Sequence, residues 1–313
     1  MLTFRIAMIL PVRLGAIMSQ SIYHRRQLYG ILLNAFSALS FYFATFFVRL
    51  GALYDADLAS ELFAFVRYLL GFFFALFLFR KAGLTFRWKV PLPVYLRAIF
   101  NTLALLFFYE AVATGPAGTA NVLNMTYPAF VAILAIPIFR EIPDSRMLLV
   151  LGFSLTGIAL YVLYPLIDTG SISKADLWGI GSGLLAAIAI LSLRGAAMQA
   201  RAEEILLWMF ALGSVASFPL AVSSLSQLLK PGGLFVLASA CLGIAGQWSL
   251  TRSYAYLSAT AGSIVSSLRI PIALVAGFFL LQEIPGFSGI LGAGLIFAGN
   301  LFLALFRRSE KKE

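Results

Sequence analysis

Two stretches, "FREIP" at residues 139–143 and "LQEIP" at 281–285, punctuate the chain 142 positions apart, and each closes a long apolar run. Whether this Glu-Ile-Pro mark recurs by chance or by repetition decides the fold. Sliding the sequence by 142 also superposes Ala113 on Ala255, Ala117 on Ala259, Gly152 on Gly294 and Gly157 on Gly299. Such identities are thin in so apolar a chain, but their placement is not. Each set falls on the same kind of segment: a short hairpin, a long run with an internal proline, a Glu-Pro turn and a run with spaced glycines. Earlier in each half, "GILLNAFSA" from Gly30 resembles "GIGSGLLAA" from Gly179 at a slightly different offset.

Composition sets the solvent. The 313 residues are 61% hydrophobic and 12% charged, with mean hydropathy +0.94, whereas soluble domains carry about a quarter charged residues. A bilayer core about 30 Å thick takes roughly 20 apolar residues at 1.5 Å rise each. Ten such runs are legible: 29–49, 60–79, 95–114, 118–139, 146–165, 177–197, 204–225, 233–250, 260–281 and 286–306. The expected fold is an all-α membrane protein of ten transmembrane helices, with tight hairpins at "TGPAG" and "QEIPG". It divides into an N-terminal segment (1–27), a first five-helix repeat (28–166), the linker "IDTGSISKAD" (167–176), a second repeat (177–306) and a basic tail (307–313). Because five is odd, the second repeat enters the membrane from the opposite side, which makes the two repeats inverted.

The net charge of +10 follows topology rather than nucleic acid. With both termini cytoplasmic, eighteen Lys and Arg fall on inner segments and Arg49, Lys174 and Lys230 on outer ones, while Arg67 and Arg269 lie within spans. That asymmetry is the positive-inside pattern and points to a multi-pass protein of the cytoplasmic (inner) membrane. Residues 6–12 are too short to span, and Arg13 interrupts them. Residues 1–17 therefore read either as an upstream start-site artefact, with the chain beginning at Met18, or as an interfacial segment. A lone Cys241 and a lone His24 leave no Cys/His metal set, and no phosphate-binding GxxxxGK[ST] loop is present. No cofactor, no metal and no ATP hydrolysis by this chain are expected.

Pro128 and Pro271 each remove a helical hydrogen bond near mid-span, and in a membrane the freed carbonyl must be buried in protein or line a wet cavity. Just before them run two polar trios at three-residue spacing, Asn121, Asn124 and Tyr127, then Ser263, Ser266 and Arg269, which coincide at offset 142. They are expected to meet near the midplane, where inverted-repeat transporters place substrate. The competing reading of any single Asn or Ser is interhelical glue worth about 0.6 kcal/mol. Arg269 is the sharpest candidate, since an arginine at a helix centre costs about 2.5–3.5 kcal/mol unless compensated. Arg67 and Glu110 are read as a possible ion pair or coupling pair, with snorkelling of Arg67 and headgroup contact of Glu110 as alternatives. Trp248, beside Gln247, is a candidate cavity wall against a background of core packing.

The runs "NVLNMTYPAFVAILAIPIFREIP" and "SIVSSLRIPIALVAGFFLLQEIP" resemble the proline-containing fourth helix, ending in Glu, of the EamA branch of the drug/metabolite transporter superfamily. The resemblance covers residues 28–306, with one departure: Pro271 lies twelve residues before its Glu and Pro128 thirteen. It implies a secondary transporter, not an enzyme, alternating access around a central site in the lipid bilayer. The small-molecule substrate implied is derived from an amino acid, vitamin or nucleoside, such as an S-adenosylmethionine-like compound, with an anionic group facing Arg269. A coupling ion or counter-substrate and the oligomeric state are left open. Two alternatives stand beside it: a flippase of lipids or lipid precursors with the same fold, and a membrane-embedded enzyme acting on lipid head groups. The enzyme would need clustered acids or His at one interface. If the repeats are inverted, cysteines placed at Arg140 and Gln282 in a Cys241→Ala background will react with impermeant reagents from opposite sides of the membrane; reaction from one side overturns inversion.

Overall fold

The computed structural model describes residues 3–86, 89–139, 149, 152–153, 155–160, 173–253, 256–257 and 265–306. Among these residues every regular element is helical. In chain order they are α1 (Thr3–Tyr54), α2 (Ser60–Lys81), α3 (Leu92–Thr114), α4 (Ala117–Asn124), α5 (Tyr127–Phe139), α6 (Lys174–Ala197), α7 (Ala202–Ala221) continued by a 3-10 helix (Val222–Leu229), α8 (Gly233–Ser253), α9 (Arg269–Leu281) and α10 (Phe287–Phe306). The pair α4 and α5 together occupy the single apolar run expected over 118–139. Most of the expected fifth span, with Glu141, and the tail 307–313 lie outside the described residues.

Six helical segments are long and apolar enough to cross a bilayer: Gln27–Tyr54, Ser60–Lys81, Leu92–Thr114, Lys174–Leu193, Ala202–Leu229 and Gly233–Ser253. Large apolar side chains such as Phe77, Val215, Phe279 and Phe287 are exposed on the bundle surface. In water such a surface would aggregate; in lipid it is the solvated face. The chain is a helical, multi-pass membrane protein.

The helix ends follow ordinary rules. The Ser173 side chain caps α6 by accepting from the Ala175 N–H, and prolines occupy the N-caps of α3 and α4, where a missing N–H costs nothing. Glu61 in the first turn of α2 and Arg80 and Lys81 in its last turn complement the helix dipole. Beyond that last turn Gly83 takes φ +66°, a left-handed conformation that a Cβ disfavours.

Packing pairs α3 with α6, α1 with α8 and α2 with α7 most extensively; α2 also meets α8, α3 meets α7, α5 meets α6 and α1 meets α9, while α4 meets α6 and α9. Apart from the contacts of α4, these pairs map onto themselves when α1 is exchanged with α6, α2 with α7, α3 with α8 and α5 with α9, whose ranges Tyr127–Phe139 and Arg269–Leu281 lie 142 residues apart. The α2–α7 contact shows why. A Cβ on Gly71 would stand 2.4 Å from the Phe210 ring, and one on Gly213 would stand 2.4 Å from the Tyr68 ring, the two rings lying 6.1 Å apart edge to face. Each helix offers one ring and one notch, and Tyr68 and Gly71 precede Phe210 and Gly213 by 142 residues. Small residues let membrane helices approach where no hydrophobic force drives them together. Gly71→Ala, which drives a methyl into Phe210, is expected to destabilise the purified protein by about 1–3 kcal/mol, the usual cost of overpacking. Thermal unfolding in detergent measures it, and Phe210→Leu in the same chain should recover part of the loss.

Candidate functional site

The site begins with a broken helix. Pro128 has no N–H to return to the Asn124 carbonyl, and the helix stops at Asn124 and restarts at Tyr127. Side-chain donors reinforce the backbone around the break: the Thr126 hydroxyl donates to Leu123 O at 2.6 Å, which also accepts the Thr126 N–H, and Asn300 Nδ2 of α10 donates to Met125 O at 3.1 Å. On α6, Gly183 faces the break so closely that a Cβ would meet Thr126 Oγ1 at 2.7 Å and Leu123 O at 3.0 Å. A bare backbone there lets α6 cover the irregular segment, as the absence of water in a bilayer demands.

The second proline-bearing run is also interrupted, at Leu268, between helical residues 265–267 and α9. Leu268 follows Thr126 by 142 residues, so the two breaks keep a register that Pro128 and Pro271 miss by one. Around the breaks the polar residues join. Arg269 Nη2 donates to Asn124 Oδ1, and Asn124 Nδ2 donates to Ser182 Oγ of α6 at 2.9 Å. Ser266 Oγ, at the position corresponding to Asn124, donates to Asn34 Oδ1 of α1 at 2.9 Å. Asn121 Nδ2 donates to Thr45 Oγ1 at 3.0 Å and Ala117 O at 2.8 Å.

Arg269 is 7% exposed. Its guanidinium carbon stands 5.3 Å from the centre of the Phe108 ring of α3, and its Nε has no hydrogen-bond partner. Arg67 is equally buried and donates from Nη1 to the Tyr109 hydroxyl at 2.9 Å. The ion pairs among the described residues are Arg49–Glu283 and Arg201–Glu203, so neither buried guanidinium meets a carboxylate there.

The remaining candidates disperse. Glu110 accepts from the Ser60 hydroxyl at 2.6 Å, and an Arg67–Glu110 pair is not among the ion pairs just named. Tyr127 packs against the apolar cluster of Val122, Met125 and Ile270. Gln247 is buried, and the Trp248 ring lies 5.7 Å beneath the Arg252 guanidinium. Pro128 is buried and Pro271 half-buried, while Ser263 lies outside the described residues. Among the described residues no group of three His, Cys, Asp or Glu is placed to hold a metal ion. Sequence reasoning passed over Asn34, Ser182 and Phe108. The first two lie in the "GILLNAFSA" and "GIGSGLLAA" stretches that had marked the repeat, and pairing those stretches with the proline runs would have found them.

At one end of the same seam, Glu283 ties three segments together. Gln282 ends α9 in a left-handed conformation, φ 56°, and the Glu283 N–H returns to Gly277 O at 3.1 Å. This turn aims the carboxylate at the start of α4, where it accepts from the N–H groups of Ala117 at 2.9 Å and Gly118 at 3.0 Å. Those are orphan donors at a helix N-terminus, favourable to an anion. Arg49 of α1 adds an ion pair, Nε to Oε1 3.4 Å, and donates from Nη1 to Ala113 O at 3.0 Å. A cavity of about 250 Å³, lined by Pro116, Gly118, Ala273, Gly277 and Glu283, opens beside this knot. Gly118 and Gly277 hold α4 and α9 close, with the Gly118 Cα 4.0 Å from a Cβ built on Gly277.

A multi-pass helical bundle with a buried polar seam along two broken spans is the architecture of a membrane transporter. Residues 28–163 and 173–305 both match the EamA-like transporter family; the chain belongs to that family, and it is a transporter of small metabolites rather than an enzyme. Among curated proteins it is 26% identical over 279 residues to the pseudopaline exporter CntI of Pseudomonas aeruginosa, covering 88% of this chain and 95% of that protein. It is 29% identical over 248 residues to the riboflavin transporter of Rhizobium johnstonii, covering 77% and 79%. Human solute carrier family 35 member G1 is 22% identical over 243 residues, covering 73% and 66%. A crystal structure without a functional description superposes with TM-score 0.51 at 18% identity, covering 92% of this chain and 99% of that chain.

Glu283→Gln keeps the shape of the side chain but removes the charge at the α4 N-terminus and opposite Arg49. It is expected to destabilise the protein by about 1–2 kcal/mol, the range for a partly buried charge at a helix end; Glu283→Ala, which also abandons the Ala117 and Gly118 N–H groups, should cost more. Melting temperatures of the three proteins check the order, and equal values would show that the knot contributes nothing.

Proposed function

We propose that the chain is a secondary transporter of a small organic anion, alternating access across the cytoplasmic membrane around the seam where the two broken spans meet. The observation that carries the reading is Arg269: a cation buried beside a helix break, bonded to Asn124 and unpaired with any described acid. A buried guanidinium with free donor capacity is built to receive a carboxylate or phosphate. Asn121, Asn124, Tyr127, Ser263 and Ser266 would complete the site around it.

The architecture proposed is ten spans in two inverted repeats, 28–166 and 177–306, joined by the linker 167–176, with both termini cytoplasmic. Three observations support it. The family matches the chain twice, at 28–163 and 173–305. The helix pairs exchange into one another as two related halves would require. The 142-residue register relates the two helix breaks, at Thr126 and Leu268, and the Tyr68–Gly213 and Phe210–Gly71 contacts. In this topology Arg49, the α4 N-terminus and Glu283 are exterior, so their knot closes the outer end of the seam. Relatives named for exporting pseudopaline and transporting riboflavin support a water-soluble metabolite over a lipid.

The test begins with thermal stabilisation of the purified protein by amino acids, nucleosides, vitamins and lipid head groups. Against the solute that stabilises it, Arg269→Ala is expected to lose about ten- to a hundredfold in affinity, equivalent to the 1.5–3 kcal/mol of a charge-assisted contact, at normal membrane abundance. Arg269→Lys, which keeps the charge without the planar fork, should fall between. Unchanged affinity in a stable Arg269→Ala protein, or turnover of a lipid, overturns the proposal.

A further inference from the structure

Arg67 stands on the other side of the same turn of α3. Its guanidinium carbon lies 5.3 Å from the Phe41 ring and 6.0 Å from the Tyr109 ring, while Arg269 lies 5.3 Å from Phe108. Phe108 and Tyr109 are consecutive, with ring centres 6.3 Å apart. Two buried cations therefore flank one pair of aromatic residues. Space for the first is made by α8: a Cβ on Gly243 would stand 2.8 Å from both Cδ and Nε of Arg67. The Nε of each arginine has no hydrogen-bond partner.

The charge is uncompensated among the described acids. Glu110, the next residue on α3, is engaged by Ser60, and Glu283 is held by Arg49 and the α4 N-terminus. Cation–π contact compensates each arginine only in part, and the Tyr109 hydroxyl is a neutral acceptor. Against this stand the cost of placing each arginine deep in a membrane and the mutual repulsion of like charges. Snorkelling does not relieve it, since at 7% exposure the Arg67 side chain does not reach an interface. An anion would.

We infer that Arg67 is a second anion-binding position beside Arg269, so that the transported solute carries two anionic groups. This rests on the reading of Arg269 as the substrate anchor, and Arg67 then sets the preference for a dianion over a monoanion. Gly243 and Tyr109 are positioning residues: one leaves room for the guanidinium, the other fixes one of its nitrogens.

The experiment measures stabilisation of the full-length protein in detergent by acetate, butyrate, succinate, glutarate, citrate and inorganic phosphate at constant ionic strength. The unsubstituted protein is expected to respond to at least one di- or tricarboxylate at concentrations at least tenfold below those needed for the monocarboxylates. Arg67→Ala should abolish that preference and leave the monocarboxylate response in place. Gly243→Ala, which keeps the charge but displaces the guanidinium, should reduce the preference without removing the cation, and so tests the assignment if Arg67→Ala does not fold. Arg269→Ala should abolish both responses. A dicarboxylate preference that survives both Arg67→Ala and Gly243→Ala, or no preference in the unsubstituted protein, overturns the second position while leaving the Arg269 anchor intact. Responses to both solute classes that survive Arg269→Ala overturn the anchor itself. Stabilisation by phosphate alone, lost in Arg67→Ala, would mean an inorganic anion at this position and would also overturn the dianionic solute.

Discussion

A chain that breaks its helix inside a bilayer must hide the backbone it frees, because no water is there to bond it. That constraint organises this protein. Around the break the Thr126 hydroxyl and Asn300 donate to the carbonyls of Leu123 and Met125, and α6 can cover the break only because position 183 is glycine. The same seclusion that protects the backbone creates a dry place in which a polar side chain acts strongly. Asn124, the last residue before the break, bonds Ser182 on one side and Arg269 on the other, so backbone irregularity and candidate site are one feature.

Part of this was legible in the sequence, and the reasons differ residue by residue. Hydropathy exposed the membrane character because lipid imposes a length and a polarity on every spanning helix. The Glu-Ile-Pro recurrence gave a register of 142, and the polar trios it aligned include both partners of the Asn124–Arg269 contact. The prolines themselves were a misleading guide to alignment: the structural interruptions at Thr126 and Leu268 keep the register, since a break is placed by which hydrogen bonds fail and not by the proline alone. The aromatic-X-Leu-Gly pattern of residues 68–71 and 210–213 was equally visible at that offset. Its meaning was not, because nothing in one chain segment says that the ring of one copy fills the notch of the other.

Glu283 illustrates what composition and spacing do not reveal. As half of a sequence repeat it reads as punctuation at the end of a span. Its bonds to Ala117 and Gly118 depend on the left-handed turn at Gln282, and on the crossing of α4 and α9 at Gly118 and Gly277. Three separate stretches, ending α1, starting α4 and ending α9, must converge before the carboxylate has anything to hold. A knot of that kind joins the segments whose separation would open one end of the seam. Being made of charge-assisted bonds at a partly exposed end rather than of buried packing, it can be exchanged for water at modest cost. The apolar interlock of α2 with α7 offers no such exchange.

The buried charges, unlike the scaffold, do not obey the 142-residue register. Arg67 corresponds to Met209, Arg97 to Ser239 and Arg269 to Tyr127, and all three arginines are buried. Two related halves, as proposed, would build a near-symmetric site, and a symmetric site cannot fix the orientation of an asymmetric solute. Placing cations at one member of each corresponding pair breaks that symmetry electrostatically while leaving the packing intact, since a Met, Ser or Tyr fills the matching position on the other side. In a low-dielectric interior such an arrangement would discriminate between solute charges, so in the proposed transporter recognition would fall to the few positions where the halves differ, and movement to the many where they agree.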